Sequence, residues 1–209
     1  MRKNFIYVTA FVLIGSILFN TSAFAAEKKE TKKSYSDIHE VDFNNFAYSA
    51  TGCSEYGIGS KPVKVKNGQF EKGKGANKAY FGVVNNKTLY GDLTNDGKDE
   101  SIVHTACGWT SGNGGSDELY VYTLSRGIPT LLAKLDYKTI ERTFNKYYSG
   151  PIWSIVNESI KVADGILSFE FYAGLPHANP SHVVSFKYKL EGNQLVLVDK
   201  PARRSSEGQ

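Results

Sequence analysis

Oxygen-bearing side chains recur at a regular spacing in one short stretch, residues 90–103, which reads YGDLTNDGKDESIV. They stand at positions 1, 3, 5 and 9 of a loop that has Gly97 at position 6. Calcium in proteins takes six or more oxygen ligands around a sharp turn that glycine favours, and a backbone carbonyl at position 7 adds one more. The spacing therefore predicts a calcium site. Its candidate ligands are Asp92, Thr94, Asp96, the carbonyl of Lys98, and Glu100.

The loop departs from the EF-hand in two ways. Position 12, where an EF-hand carries a bidentate glutamate, is Val103, and strand-forming residues flank the loop where an EF-hand has helices. The stretch is therefore not an EF-hand. Thr94 at position 3 also supplies one anionic ligand fewer. The alternative is a β-turn of Asp, Asn and Gly residues held by local side-chain hydrogen bonds.

Short D-x-[DN]-x-D-G-x-x-[DE] loops between strands are similar to the calcium loops of FG-GAP and related secreted β-proteins. The wider pattern combines YGDLTNDGKDESIV with DELYVYTL, PTLLAKL and the PHANPS segment at 176–181. It resembles a broad group of uncharacterised exported bacterial proteins and lipoproteins. The resemblance implies export and a β-rich fold, and it assigns no catalytic residue.

The two cysteines, Cys53 and Cys107, suggest a disulfide. An even pair in an oxidising compartment is most simply one intramolecular bridge, which here closes a loop of about 55 residues. Two buried thiols or an intermolecular bond are the alternatives. No C-x-x-C spacing points to redox catalysis.

A glycine-rich stretch at 108–115 follows Cys107 and contains Trp109. Such a loop could close over a ligand, with Trp109 as the stacking surface for a sugar or a peptide. The alternative is an ordinary long hairpin connection.

No catalytic residue follows from the sequence. None of the four histidines has metal-ligand spacing to another, and no G-x-S-x-G, H-E-x-x-H or S-x-x-K pattern occurs. A dispersed triad of Ser181, His104 and Asp117 has no support without geometry.

The first 25 residues read as a secretory signal peptide. A basic start precedes the apolar run at 5–19, and Ala23-Phe24-Ala25 supplies a small–x–small cleavage pattern. The run is shorter than the roughly 20 residues of a spanning helix. We therefore expect cleavage before Ala26, a periplasmic or extracellular protein, and no transmembrane segment in the mature chain. Residues 26–36 are charged and without periodicity, which predicts a disordered lead-in.

The charge balance bears on partners. After residue 25 the chain carries 23 basic and 21 acidic residues, a net charge of +2. A dedicated nucleic-acid binder would show a strong basic excess, so we expect no nucleic-acid partner. Lysines concentrated at 61–78 suggest contact with an anionic cell-envelope polymer such as lipopolysaccharide or teichoic acid, and another exported protein is the alternative partner.

Elements that would position these residues are short strands joined by turns. Asn67-Gly68, Asn85-Asn86 and Ala163-Asp164-Gly165 mark tight turns, and one helix is predicted at 137–148. The stretches at 80–84 and 88–90 are expected to pair as a hairpin across Asn85-Asn86. The fold class is therefore mainly β (α+β): an antiparallel, strongly bent sheet, a sandwich or a half-barrel with one short helix. A single domain is predicted at 37–200, followed by a loose tail at 201–209.

Two functions fit this reading. The leading hypothesis is a non-enzymatic exported domain for binding or cell-envelope interaction, with a calcium-stabilised turn. The alternative is a hydrolase acting on envelope polymer or glycan. It needs a concave pocket that brings a histidine or paired carboxylates together, and convergence of His104, Asp117, Glu118 and Trp109 on one cleft would favour it.

Overall fold

A computed structural model describes residues 33–112, 114–175 and 179–206. The described residues belong to one structural unit that begins at Lys33. They contain thirteen strands and one α-helix, and every strand pairing is antiparallel, which confirms the predicted mainly β fold class. The predicted signal peptide and most of the predicted lead-in lie outside the described residues.

Two sheets contain most of the strands. The first has the order β3-β4-β5-β6-β7. Its strands are β3 (Gln69–Lys72), β4 (Ala79–Gly91), β5 (Glu100–Trp109), β6 (Gly115–Ser125) and β7 (Ile128–Asp136). In the second sheet, β10 and β11 pair with each other at the centre. Strands β12 and β13 pair with the outer edge of β11, and strands β8 and β9 pair with the outer edge of β10. Its strands are β8 (Ile152–Ile155), β9 (Lys161–Ala163), β10 (Ile166–Ala173), β11 (His182–Glu191), β12 (Gln194–Leu197) and β13 (Ala202–Ser205).

The remaining elements are short. Strands β1 (Ala47–Tyr48) and β2 (Val63–Lys64) form a two-stranded ribbon. Four 3-10 helices cover Ile38–Glu40, Phe43–Asn45, Thr51–Tyr56 and Gly75–Asn77. The α-helix α1 (Tyr137–Asn145) begins at Asp136, whose side chain accepts a hydrogen bond from the amide of Thr139. It falls in the predicted range and ends three residues early.

The first sheet is buried on both faces, which explains why β5 and β6 read as nearly continuous apolar runs. Ile102, Leu119 and Val121 face the second sheet and pack in one core with Phe169 and Phe186. Alternate residues point the other way, because successive side chains of a strand lie on opposite faces. Those residues form a second core with the N-terminal segment at 38–65. The polar side chains of β5 and β6 are therefore buried between layers.

The predicted turn at Asn85-Asn86 is wrong. The stretches before and after it were expected to pair with each other, but both pair with β5, so β4 is one long strand. Asn85 and Asn86 adopt left-handed conformations, with φ of 56° and 51°, and form a bulge within it. Asn67-Gly68 does make the predicted tight turn, with φ of 51° and 78°.

The predicted loose tail is also wrong for residues 202–205. They form β13, which pairs with residues 182–185 of β11. Strand β12 pairs with the same edge of β11 only at residues 188–191. Arg204 of this strand forms an ion pair with Glu170 at 2.9 Å. An unpaired strand edge was available, and sequence periodicity alone does not show such an edge.

Candidate functional site

The acidic loop is closed by its own backbone amides. The Oδ2 atom of Asp92 accepts a hydrogen bond from the amide of Gly97 at 2.8 Å, and Oδ1 accepts one from Asp96 at 3.2 Å. Asp96 in turn accepts a hydrogen bond from the amide of Lys98 at 2.9 Å. The pKa of Asp92 lies below its ordinary value. Burial alone would raise this pKa, but the hydrogen bonds from the amides of Gly97 and Asp96 stabilise the carboxylate and outweigh the effect of burial. The geometry is that of a side-chain-capped turn.

Glu100 fixes the base of this loop. Its side chain is buried, and Oε2 accepts hydrogen bonds from the amides of Leu93 at 3.0 Å and Thr94 at 3.2 Å. Burial raises the pKa of Glu100, although these amides act in the opposite direction. Glu100 therefore connects the start of β5 to the start of the loop.

The carboxylates among the predicted metal ligands are engaged within the loop. The carboxylates of Asp92, Asp96 and Glu100 each accept hydrogen bonds from loop amides. In the part of the chain that the structure describes, no group of three or more His, Cys, Asp or Glu residues is placed to hold a metal ion. Calcium binding by this loop stays a prediction.

A groove of about 630 Å³ lies beside the acidic loop. Its walls are the N-terminal segment at 35–39, loop residues 97–99, and residues 123, 124, 126 and 127 around the β6–β7 hairpin. The amide of Tyr35 donates a hydrogen bond to the carbonyl of Gly127 at 2.9 Å, which joins the first wall to the third. The three walls are far apart in sequence, and sequence patterns alone did not place them together.

The acidic side chains of the groove are engaged by neighbours. Asp99 pairs with Nε2 of His39 at 3.0 Å, and the His39 ring stacks on Tyr90 with 3.9 Å between centroids. Asp37 accepts a hydrogen bond from the amide of His39 at 2.9 Å. By contrast, the exposed side chains of Lys98 and Arg126 have no hydrogen-bond or ion-pair partner among the described residues. The groove therefore presents two cations that have no hydrogen-bond or ion-pair partner among the described residues.

The disulfide between Cys53 and Cys107 is confirmed, and it ties the 3-10 helix at Thr51–Tyr56 to β5. Trp109 lies two residues farther along, 37% exposed, with its ring 5.8 Å from that of Tyr56. Trp109 is not part of the groove's lining. Its role in ligand binding stays a prediction.

Glu118 is fully buried on the face of β6 that points to the N-terminal layer. Its carboxylate accepts hydrogen bonds from the amide of Gly52 at 2.9 Å, from Tyr120 at 2.6 Å and from Lys134 at 2.9 Å. Burial, then the charge of Glu118, raises the pKa of Tyr120. This network was not predicted, although an acidic residue at an inward position of an apolar strand is a signal for one.

Asp117 points to the opposite face of β6, where its Oδ1 atom lies 2.5 Å from Nε2 of His104. Its second oxygen accepts a long hydrogen bond, 3.4 Å, from the amide of Ile155 in the second sheet. Ser181, the third member of the dispersed triad, forms its hydrogen bond with Nδ1 of His182 at 2.7 Å. The structure therefore brings His104 and Asp117 together and leaves Glu118 on the other face.

No family model matches this chain, and no curated protein matches it. Within the described residues, no helix is long and apolar enough to cross a membrane.

Proposed function

We propose that this protein is a non-enzymatic binding domain that acts outside the cytoplasm and recognises a phosphate-bearing cell-envelope polymer through the groove. One observation carries the proposal: the acidic residues of the groove are engaged, whereas Lys98 and Arg126 have no partner among the described residues. A phosphate oxygen is a strong acceptor for both side chains.

The size and polarity of the groove support a polymer ligand. Small-molecule pockets span about 300–1,000 Å³ and are mostly apolar. The groove falls in that size range but is lined mainly by polar and charged residues such as Ser36, Asp37 and Thr123. A charged, hydrated chain fits such a surface better than an apolar ligand does.

Export is part of the proposal. Residues 1–25 have the pattern of a secretory signal peptide. The disulfide agrees with an oxidising compartment, because disulfides are rare in the reducing cytosol of most cells. Both features suit a protein that meets an envelope polymer.

The acidic loop forms one rigid wall of the groove in this proposal. Asp92 and Glu100 hold the backbone that carries Lys98. A calcium ion bound to the loop would stiffen the same wall, which is the role the sequence predicts for it. Groove binding and calcium binding are separate claims and have separate tests.

Binding to immobilised polymer tests the proposal. The protein comprising residues 26–209 is applied to immobilised wall teichoic acid and, in a second experiment, to immobilised lipopolysaccharide. We expect saturable binding to at least one polymer that weakens as salt increases. The double variant Lys98→Gln/Arg126→Gln should lose about a hundredfold or more in affinity, since each of the two charge-assisted hydrogen bonds contributes about 1.5–3 kcal/mol.

The matched control removes the same charge elsewhere. Lys138→Gln/Lys187→Gln alters two exposed lysines, one in α1 and one in β11, that lie outside both the groove and the lysine-rich stretch at 61–78. This control should bind like the parent. Equal losses in both double variants would mean that net charge, and not the groove, determines binding; no binding by the parent to either polymer would refute the proposal.

The hydrolase alternative has one supporting observation, the buried pair of His104 and Asp117. A histidine oriented by a carboxylate is a common general base. Incubation of both polymers with residues 26–209 tests this alternative. Release of polymer fragments by the parent but not by His104→Gln would favour the hydrolase over the binding domain.

A further inference from the structure

The bulge in β4 faces a single residue of β5. Val83 pairs with Thr105 and Thr88 pairs with Val103, so residues 84–87 lie opposite His104. Bulges of this kind disrupt the strand ladder and are over-represented next to active sites, where they redirect side chains. Here the ladder is interrupted at the position of a buried histidine.

A pocket of about 60 Å³ opens beside His104. Its apolar walls are Val84, Leu89 and Ile160, and its polar groups are His104, Lys87 and Glu158. A water molecule occupies roughly 10–15 Å³ of cavity volume measured in the same way, so the pocket has room for about four to six small atoms or groups. It is separate from the groove and shares no lining residue with it.

The hydrogen bond to Asp117 determines which nitrogen of His104 is an acceptor. A carboxylate oxygen accepts hydrogen bonds, so the contact fits a ring whose Nε2 carries a proton; in the neutral form of that ring, Nδ1 carries the lone pair. No described residue donates a hydrogen bond to Nδ1. A ligand in the pocket can supply that donor.

Two charged groups of opposite sign complete the lining. Lys87 and Glu158 are exposed, and neither forms an ion pair or side-chain hydrogen bond with any described residue. Glu158 has a left-handed backbone conformation, with φ of 61°, which is unfavourable for a residue other than glycine, asparagine or aspartate. Such strain is often found at ligand-binding positions.

We propose that this pocket binds a small zwitterion that carries one ammonium and one carboxylate, the chemistry of a free α-amino acid. Glu158 and Nδ1 of His104 are acceptors for the ammonium group, and Lys87 is the cation for the carboxylate. The apolar walls accommodate a short side chain. The site lies outside the groove, so the inference is independent of the proposed function.

Nuclear magnetic resonance with ¹⁵N-labelled histidine tests the inference on residues 26–209. The probes are glycine, L-alanine and D-alanine; acetate and methylammonium are matched probes that each lack one of the two charges. We expect the Nε2-protonated tautomer of His104 before addition, and a saturable shift of its Nδ1 resonance with at least one zwitterion. Acetate and methylammonium should bind about tenfold or more weakly, since each lacks one charge-assisted contact.

Single variants identify the charged partners. The substitutions Lys87→Gln and Glu158→Gln should each lower the affinity for the zwitterion by about tenfold. Lys64→Gln and Glu191→Gln change exposed charges outside the pocket and should leave its binding unchanged. The inference is overturned by any of three results: no saturable shift with a zwitterion, equal binding of acetate or methylammonium, or no effect of the two pocket variants.

Discussion

The two faces of strand β6 place adjacent acidic residues in different settings. On the N-terminal side, Glu118 is fully buried and accepts hydrogen bonds from a backbone amide, Tyr120 and Lys134. On the side of the second sheet, Asp117 pairs with His104, whose other ring nitrogen has no partner among the described residues. Both residues occupy inward positions, but only one network is complete.

This difference distinguishes a carboxylate that stabilises the fold from one that belongs to a candidate ligand site. A buried carboxylate that is surrounded by donors holds layers together, and its loss exposes several unsatisfied groups. A network that leaves one acceptor facing a pocket is instead available to a ligand. The same contrast occurs on the surface, where the acids of the groove are engaged and its cations Lys98 and Arg126 are not.

The largest expected effect is on the complete network. Glu118→Ala leaves the amide of Gly52 and the charge of Lys134 without their partner, and we expect a loss of about 3–5 kcal/mol in the free energy of unfolding. Urea denaturation measures it. The control Glu71→Ala breaks an exposed ion pair with Lys78 and should cost less than about 1 kcal/mol. Similar losses in both variants would contradict a special role for Glu118.

The disulfide joins the same N-terminal layer to the sheet and should have the next largest effect. Cys53→Ala/Cys107→Ala removes a bridge between residues 54 apart in sequence. We expect a loss of about 2–4 kcal/mol, because the unfolded chain regains its loop entropy. Thermal unfolding of the parent with and without reductant checks this result independently. A parent whose melting temperature is insensitive to reductant would argue against the bridge as a stabilising link.

A smaller effect is expected on the other face. Asp117→Asn keeps the shape of the side chain but removes the charge that orients His104, and we expect a loss of about 1–3 kcal/mol. The same variant should mix or invert the His104 tautomers in ¹⁵N spectra. An unchanged tautomer would show that the strand geometry, and not Asp117, orients the ring.

The acidic loop should show the smallest effect on stability. Asp92→Ala removes the acceptor for the amides of Asp96 and Gly97, which are exposed to water, so we expect only a slight fall in the melting temperature. Repeating the scan with calcium tests the metal prediction. A calcium-dependent rise in the parent that Asp96→Ala abolishes would confirm the calcium site, and no rise in the parent would leave the loop as a hydrogen-bonded turn.

Features with local causes could be predicted from the sequence. Asn67-Gly68 makes a tight turn because both positions need positive φ, and the apolar runs at 101–106 and 119–124 indicate strands. The disulfide followed from two cysteines and the expected compartment. These inferences need no knowledge of which strand lies beside which.

Features that depend on register could not be predicted. The contact between His104 and Asp117 requires that Thr105 pair with Glu118 across the β5–β6 hairpin. The bulge of β4 was mistaken for a turn because left-handed asparagines occur in both settings. The groove combines three segments from distant parts of the chain, so its two cations were unremarkable as single exposed residues.

The central claim is that the groove binds a phosphate-bearing polymer without chemical change. Titration of ¹⁵N-labelled residues 26–209 with fragments of teichoic acid or lipopolysaccharide tests it most directly, by backbone amide shifts. We expect saturable shifts concentrated at 35–39, 97–99 and 123–127, with the polymer recovered intact. Shifts concentrated elsewhere, for example around Trp109, or cleavage of the polymer during the titration, would contradict it.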